Sequence, residues 1–409
     1  MADRILAQAD RLASCSEGPR DITRTFLTPA MADAHGLLSQ WMRDAGMTVR
    51  CDVIGNLVGT LPADASCAAG QTPRRLLLGS HIDTVRQAGR YDGVLGVLVA
   101  IAAAAQIART ARRVSVDVIA FCEEEGVRYR APFLGSRAIA GSFDLALLSR
   151  ADDGGVTMAE AIRSFGGDPD RIDDCSYRGE TLIGYVEVHI EQGPILELAS
   201  EPVGLVTSIA GQRRASIRFA GAAGHAGTVP MAVRRDALVA AAEFVLATEE
   251  LARETTGMVA TVGTIEVAPG ASNVIPGEAR CSLDLRHQHD EIRDRGFAGL
   301  RETAERIAGE RSLGVTWTDT DRADAVPMDA ELTAMIDAAA GGGLPRLASG
   351  AGHDAMVMAS LCPTSMLFVR CAGGISHNPA EAVLAGDVAR ALEVVVSMLH
   401  RVEEEASIG

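Results

Sequence analysis

Five short stretches of this 409-residue chain each place a histidine or a carboxylate at the end of an apolar run. They are Gly79-Ser-His-Ile-Asp-Thr84, Tyr91-Asp-Gly93, Cys122-Glu-Glu-Glu-Gly126, Val188-His-Ile-Glu-Gln192 and Ile375-Ser-His-Asn378. Buried strands that stop on such groups restrict the fold, because open α/β sheets gather their ligands beyond the carboxyl ends of the strands. His81, Glu124 and His189 all lie just past strand ends, where that rule wants them. Only nine histidines occur in the chain, and three of them, His81, His189 and His377, sit in these stretches.

The surrounding pattern agrees. From about residue 30 to 210 apolar strands alternate with helical segments: 75–78, 115–121 and 183–188 read as strands, 92–109 and 158–164 as helices. That alternation predicts an α/β layer architecture with a mostly parallel sheet. The texture changes near Gly211. Strands over 213–220, 258–267, 279–286 and 314–319, with helices over 233–252 and 290–309, give the strand-helix-strand-strand-helix-strand order of a ferredoxin-like α+β unit. We therefore expect a first domain formed by 1–210 and 326–409 and an inserted second domain over 211–325. The acidic stretch Thr318-Asp-Thr-Asp-Arg-Ala-Asp324 reads as the return linker, and a helix at 329–340, a strand at 366–369 and a helix at 386–405 complete the first domain.

Charge and cysteine usage remove several function classes. A net charge of -16 gives no basic face for nucleic acid or anionic membrane, so an anionic substrate must be met by local arginines. The eight cysteines, at 15, 51, 67, 122, 175, 281, 362 and 371, have no CxxC spacing, which argues against a zinc ribbon or a disulfide framework. The N-terminus has no secretory apolar core, and the longest apolar stretch, 94–105, is well short of the ~20 residues of a membrane span. A soluble, cytoplasmic protein is expected.

Each piece of the constellation has a bland reading. His81-x-Asp83 could be hydrogen-bonded core. Asp92, opening an Ala/Val-rich helix, could be a cap. Glu123-Glu124-Glu125 could be a solvated charge run, except that it ends a nearly all-apolar strand, where three adjacent acids repel unless cations or arginines neutralise them. Taken jointly, three histidines, one aspartate and one glutamate form a five-residue shell. One bridging carboxylate plus two terminal ligands per ion suits a pair of divalent cations about 3.5 to 4 Å apart. Zinc or manganese fit the mixed N/O donors, as do cobalt and nickel. Two neighbouring glutamates could divide the work, one on metal and one free to accept a proton. No Gly-x-Ser-x-Gly elbow appears, the Gly221/Gly224/Gly227 spacing suits no phosphate loop, and the acids beside Cys122 disfavour a thiolate nucleophile.

With Phe133-Leu-Gly-Ser-Arg137, Gly211-Gln-Arg-Arg214, Gly224-His-Ala-Gly-Thr228, Ser349-Gly-Ala-Gly-His-Asp354 and Ser376-His-Asn-Pro-Ala-Glu381 added, these motifs in this order resemble the di-metal amidohydrolases. That family includes allantoate amidohydrolases, N-carbamoyl-L-amino-acid hydrolases and β-ureidopropionases, related to aminoacylase and carboxypeptidase-type metallopeptidases. The resemblance implies a metallopeptidase-like catalytic domain holding two divalent ions per subunit, with an inserted lid that also forms a homodimer. It implies that Asp92 bridges the ions, with His81 and His189 on one and Glu125 and His377 on the other. Asp83 would orient His81, and Glu124 would be the general base. His225 would stabilise the oxyanion, Arg286 would bind a substrate carboxylate, and Gln212, Asn273 and the backbone of Gly350 and Ala351 would complete the substrate site. His225 and Asn273 would serve either their own or the neighbouring subunit. The substrate implied is a small ureido carboxylate. Val85 to Asp92 and Glu125 to Arg130 look most like the allantoate branch, which yields ureidoglycine, ammonia and carbon dioxide. Gly224 before His225 and the Phe133-Leu134 pair keep the N-carbamoyl-L-amino-acid alternative open.

Overall fold

Strands Ser115–Phe121, Arg75–His81, Leu182–Ile190 and Thr364–Val369 lie side by side and parallel at the centre of the first sheet. Leu76, Leu77 and Leu78 are all buried, so both faces of the sheet are covered and no polar alternation survives, as parallel strands require. This is seen in a computed structural model of the chain, which describes residues 1–64 and 74–408. Cys67 lies outside the described residues; the other seven cysteines are free.

The chain divides into two compact units. One consists of Met1–Thr207, Met328–Leu347 and Ala351–Gly409, the other of Ser208–Pro327 and Ala348–Gly350. In the first, the four parallel strands are flanked on one side by Leu57–Leu61 and Thr48–Cys51 and on the other by Val203–Ile209, all antiparallel. The sheet is therefore mixed and mostly parallel, an α/β arrangement. Helix Val94–Ile107 packs on the central strands and on helix Ala385–Ile408, and is buried nearly all round. Its alanines and Gly96 permit that closeness: a Cβ on Gly96 would stand 2.0 Å from the Val188 carbonyl oxygen.

The second unit is a sheet of antiparallel strands in the order Ile265–Ala268, Glu278–His287, Gly211–Ala220, Gly314–Ala323, with Val259–Thr261 also paired to Glu278–His287. The first strand thus lies between the third and the last, the ferredoxin-like order. Ala215, Ile217, Phe219, Ala279, Cys281, Leu283 and Leu285 alternate onto one buried face beneath Phe244 and Phe297 of helices Ala237–Glu254 and Asp290–Glu310. The intervening Arg214, Arg218, Ser282, Asp284 and Arg286 occupy the opposite, half-open face.

Three details differ from expectation. The strand expected at 258–267 is two short ones. The helix expected from 233 starts at Ala237, because the Asp236 carboxylate accepts the Leu238 and Val239 amides and fixes the N-terminus there. The acidic stretch read as a linker belongs to strand Gly314–Ala323, where Asp319 and Asp321 pair with Arg213 and Arg214 of the adjacent strand across a bulge. No helix among the described residues is long and apolar enough to cross a membrane.

Candidate metal centre

The ends of the parallel strands bring the predicted ligands together. His81 closes one strand, His189 stands next to the end of another, and Glu123 to Glu125 follow the strand ending at Phe121. The three glutamates are not a solvated run: Glu123 and Glu124 are buried and Glu125 nearly so. Asp92 precedes helix Val94–Ile107 but does not cap it. The N-cap is Gly93, and no side chain bonds the first turn, so the carboxylate is free for the site. Gly93 has φ +66°, and a Cβ there would lie 2.4 Å from the His81 ring.

The two oxygens of Asp92 face two different groups. Oδ1 lies 3.3 Å from His189 Nε2 and 3.9 Å from His81 Nε2, while Oδ2 lies 3.1 Å from His377 Nε2. His377 Nε2 is in turn 3.3 Å from Glu125 Oε1. Asp92 is 4% exposed and its Oδ2 makes no hydrogen bond, whereas the His377 side chain is 49% exposed, so the His377 side of the site is open.

These donors fit divalent cations. The Nδ1 atoms of His81 and His189 lie 3.1 and 2.9 Å from the carbonyl oxygens of Asp83 and Ile190. A carbonyl only accepts, so each Nδ1 carries the proton and each Nε2 presents a lone pair. The two Nε2 atoms are 3.4 Å apart with Asp92 Oδ1 beside them. With both rings neutral, three lone pairs converge and repel unless a cation lies between; without one, burial of His81 is outweighed by the carboxylates of Asp83, Glu124 and Asp92, which raise it well above its ordinary value. Burial lowers His189 to about 4, keeping it neutral as a ligand must be. Asp92 and Glu125, by contrast, draw positive charge onto His377 and raise it to about 10.

Asp83 does more than face His81. Its carboxylate accepts the Glu124 amide at 2.9 Å and the Glu125 amide at 3.1 Å, fixing the backbone of both glutamates. Burial pushes the Glu124 carboxyl well above its ordinary range; His81 opposes this, and the anions Glu125, Asp354 and Asp83 add to it. A carboxylate so placed binds a proton readily.

The remaining predicted residues divide between the units. Ala351 belongs to the first; Gln212, His225, Asn273, Arg286 and Gly350 belong to the second. Gln212 and Arg286 are partners across adjacent strands, and Gln212 Nε2 donates to Asp321 at 2.8 Å. Arg286 meets Asp284 side-on, Nε to Oδ1 at 2.8 Å and Nη2 to Oδ2 at 2.9 Å, and Nη1 donates to the Gly350 carbonyl at 2.7 Å. Arg286 lines a groove of about 600 Å³ with Arg214, Thr261, Ser282, Asp284 and Gly350. The exposed His225 sits on a two-residue strand paired with Val274, and the Asn273 carbonyl accepts the Ala226 amide, so His225 and Asn273 share one turn cluster.

Sequence reasoning missed several groups around the ligands. Gln192 Nε2 donates to Asp92 Oδ1 at 2.9 Å and to Ser376 Oγ at 3.1 Å. Behind His189, the His353 ring packs edge-on at 4.4 Å, and Glu187 accepts from Ser80 Oγ at 2.8 Å and the Ala355 amide at 2.9 Å. The available signal for Glu187 was an acid between valines in a buried run.

Comparison with known proteins places this geometry. A family model described as peptidase family M20/M25/M40 matches residues 77–401. A probable allantoate deiminase of Oryza sativa subsp. japonica is 39% identical, covering 95% of this chain and 86% of its own length. An N-carbamoyl-L-amino acid amidohydrolase of Geobacillus stearothermophilus is 39% identical over 91% of each chain. Among solved structures, an amidase of the hydantoinase/carbamoylase family from Burkholderia multivorans superimposes with a TM-score of 0.90 at 32% identity, covering 98% of both chains. Metal dependence is a property of that family, and the clustered donors described above suit it. The chain belongs to peptidase family M20/M25/M40, within its amidase and carbamoylase branch.

Proposed function

We propose that the chain hydrolyses allantoate, adding one water and releasing ureidoglycine, ammonia and carbon dioxide. It is a hydrolase of non-peptide C–N bonds. The observation that carries the reading is the division of Asp92 between two donor groups, with Glu124 beside them. In this reading His81, His189 and Asp92 would hold one cation, and Asp92, Glu125 and His377 would hold the other. Zinc or manganese is the expected metal, and cobalt or nickel suits the same donors. Such a pair, when bound, acidifies a water and polarises the ureido carbonyl.

The chain's own residues do the rest. Glu124 takes the proton of the attacking water and returns it to the leaving nitrogen. Asp83 keeps His81 in its ligand tautomer and holds the Glu124 backbone still. His225 donates to the carbonyl oxygen as charge develops there. Arg286, fixed on its Nε edge by Asp284, offers its remaining N–H groups to the substrate carboxylate. Gln212, Asn273 and the backbone of Gly350 and Ala351 hold the ureido groups. A homodimer formed through the second unit completes the proposal.

Hydrolysis of an N-carbamoyl-L-amino acid is the second reading, supported by the Geobacillus relative. The allantoate reading is favoured because the rice relative matches at equal identity over more of this chain, 95% against 91%. Metal-reconstituted protein assayed on allantoate and a panel of N-carbamoyl-L-amino acids decides between them: turnover of the panel without turnover of allantoate defeats the first reading.

A further inference from the structure

Glu381 is a buried carboxylate to which neither the ligand set nor the proton relay gives a task. Its Oε1 accepts the Tyr91 amide at 2.7 Å and the Asp92 amide at 3.1 Å; its Oε2 accepts the Ser376 hydroxyl at 3.2 Å. It is 4% exposed and has no cationic side chain among its described partners. Room for it is built in, since a Cβ on Gly89 would stand 2.3 Å from its carboxyl carbon. An acid buried beside the Asp92 carboxylate costs stability that two amides and a hydroxyl offset only in part.

That cost fits a site that must hold two loops in register. One loop carries Asp92; the other carries His377, whose backbone is left-handed at φ +54° and which directly follows Ser376. Ser376 also accepts from Gln192, which bonds Asp92 Oδ1. A closed ring of contacts therefore runs from the Asp92 backbone through Glu381, Ser376 and Gln192 to the Asp92 side chain. The ring closes on Asp92 Oδ1, the oxygen that faces His189 and His81, but among the described residues Glu381 itself makes no hydrogen bond to either histidine. Glu381 holds the Tyr91 and Asp92 amides as Asp83 holds those of Glu124 and Glu125.

We propose that Glu381 is a positioning residue for one half of the metal centre: it sets the Asp92 loop against the His377 loop, and so controls affinity at the Asp92/Glu125/His377 site without touching an ion. The inference rests on the ligand assignment made above, and its test separates the two. Metal-free wild-type protein, Glu381→Gln and Ser376→Ala are titrated with Zn²⁺ by calorimetry and checked for bound metal by elemental analysis, with far-UV circular dichroism reporting folding. Wild type should take up two ions. Glu381→Gln should bind one ion, whose site shares Asp92 but not His377, more weakly by a small factor, and the other roughly 10- to 100-fold more weakly, the usual scale for outer partners of metal ligands. Ser376→Ala, which leaves both amide contacts, should weaken the same ion by a smaller factor and decides the matter if Glu381→Gln does not fold.

If wild type binds two ions and the folded variants bind both unchanged, or lose both equally, the positioning role is wrong while the ligand assignment stands. Fewer than two ions on wild type defeats the assignment and the inference with it.

Discussion

The surroundings of the predicted site residues differ between the two units. In the first, carboxylates are buried and tied to backbone amides: Asp83 to residues 124 and 125, Glu381 to 91 and 92, Asp52 to 55 and 56. In the second, arginines and acids pair side chain to side chain on a half-open face, as in Arg214–Asp284–Arg286. An amide anchor fixes position, because the backbone cannot rotate away. An exposed ion pair costs side-chain entropy to hold and is screened by salt. The groups proposed to break the bond, on the first kind of support, should be intolerant of change, and those proposed for recognition, on the second, should be adjustable.

That contrast can be broken experimentally. Removing metal with a chelator should reduce turnover to background, with recovery on adding Zn²⁺ or Mn²⁺; activity indifferent to both treatments would remove the metal from the chemistry. Glu124→Gln should lower kcat by ~10²- to 10⁴-fold, the range of a lost general base. Metal content should stay at the wild-type level, so turnover within ten-fold of wild type would rule out the base. Arg286→Lys keeps the charge and loses the fork, so KM for a carboxylate substrate should rise by roughly 10- to 100-fold with kcat altered less. A fall confined to kcat would contradict a binding role. Asp284→Asn removes only part of the anchor and should raise KM by about 2- to 5-fold, less at high salt.

The smallest effect concerns burial itself. His35 packs in the first unit with its ring edge-on to Phe165 at 5.3 Å, and burial lowers it to about 4, Arg24 adding to the effect. It is neutral in the fold, while the unfolded chain titrates near 6.5. Its contribution is therefore complete above 6.5 and declines as pH falls toward 4, costing about 1 kcal/mol between pH 7.5 and 6. Denaturant melts of wild type and His35→Leu should show that slope in the former alone; equal slopes would mean that burial does not lower His35 in the fold.

How much of this was legible depended on what signal each residue carried. His81, Glu124, Glu125 and His189 announced themselves because apolar strands stop on them, and strand ends converge in a parallel sheet. The ferredoxin-like order was readable from period-two alternation such as Ala215, Ile217 and Phe219. Residues 318–323 misled because composition alone cannot distinguish an acidic linker from an acidic edge strand. What decides is the arginine-bearing strand alongside, a nonlocal partner. Gln192 and Glu381 were quoted within motifs yet left without a task, since loops have no periodicity and their bonds span 100 and about 290 residues. Strands Thr48–Cys51 and Leu57–Leu61 went unnoticed for the same reason: their pairing is set by neighbours.

Gly93 carries a consequence for how variation in this chain should be read. It has no functional group, yet at φ +66°, with an added Cβ 2.4 Å from the His81 ring, it admits no side chain without bending the backbone and displacing that ring. In a saturation library, position 93 should score as severely as His81, and its nineteen failures would look like lost chemistry. A tolerance map of this protein thus marks where the chemistry needs empty space as well as where it needs atoms.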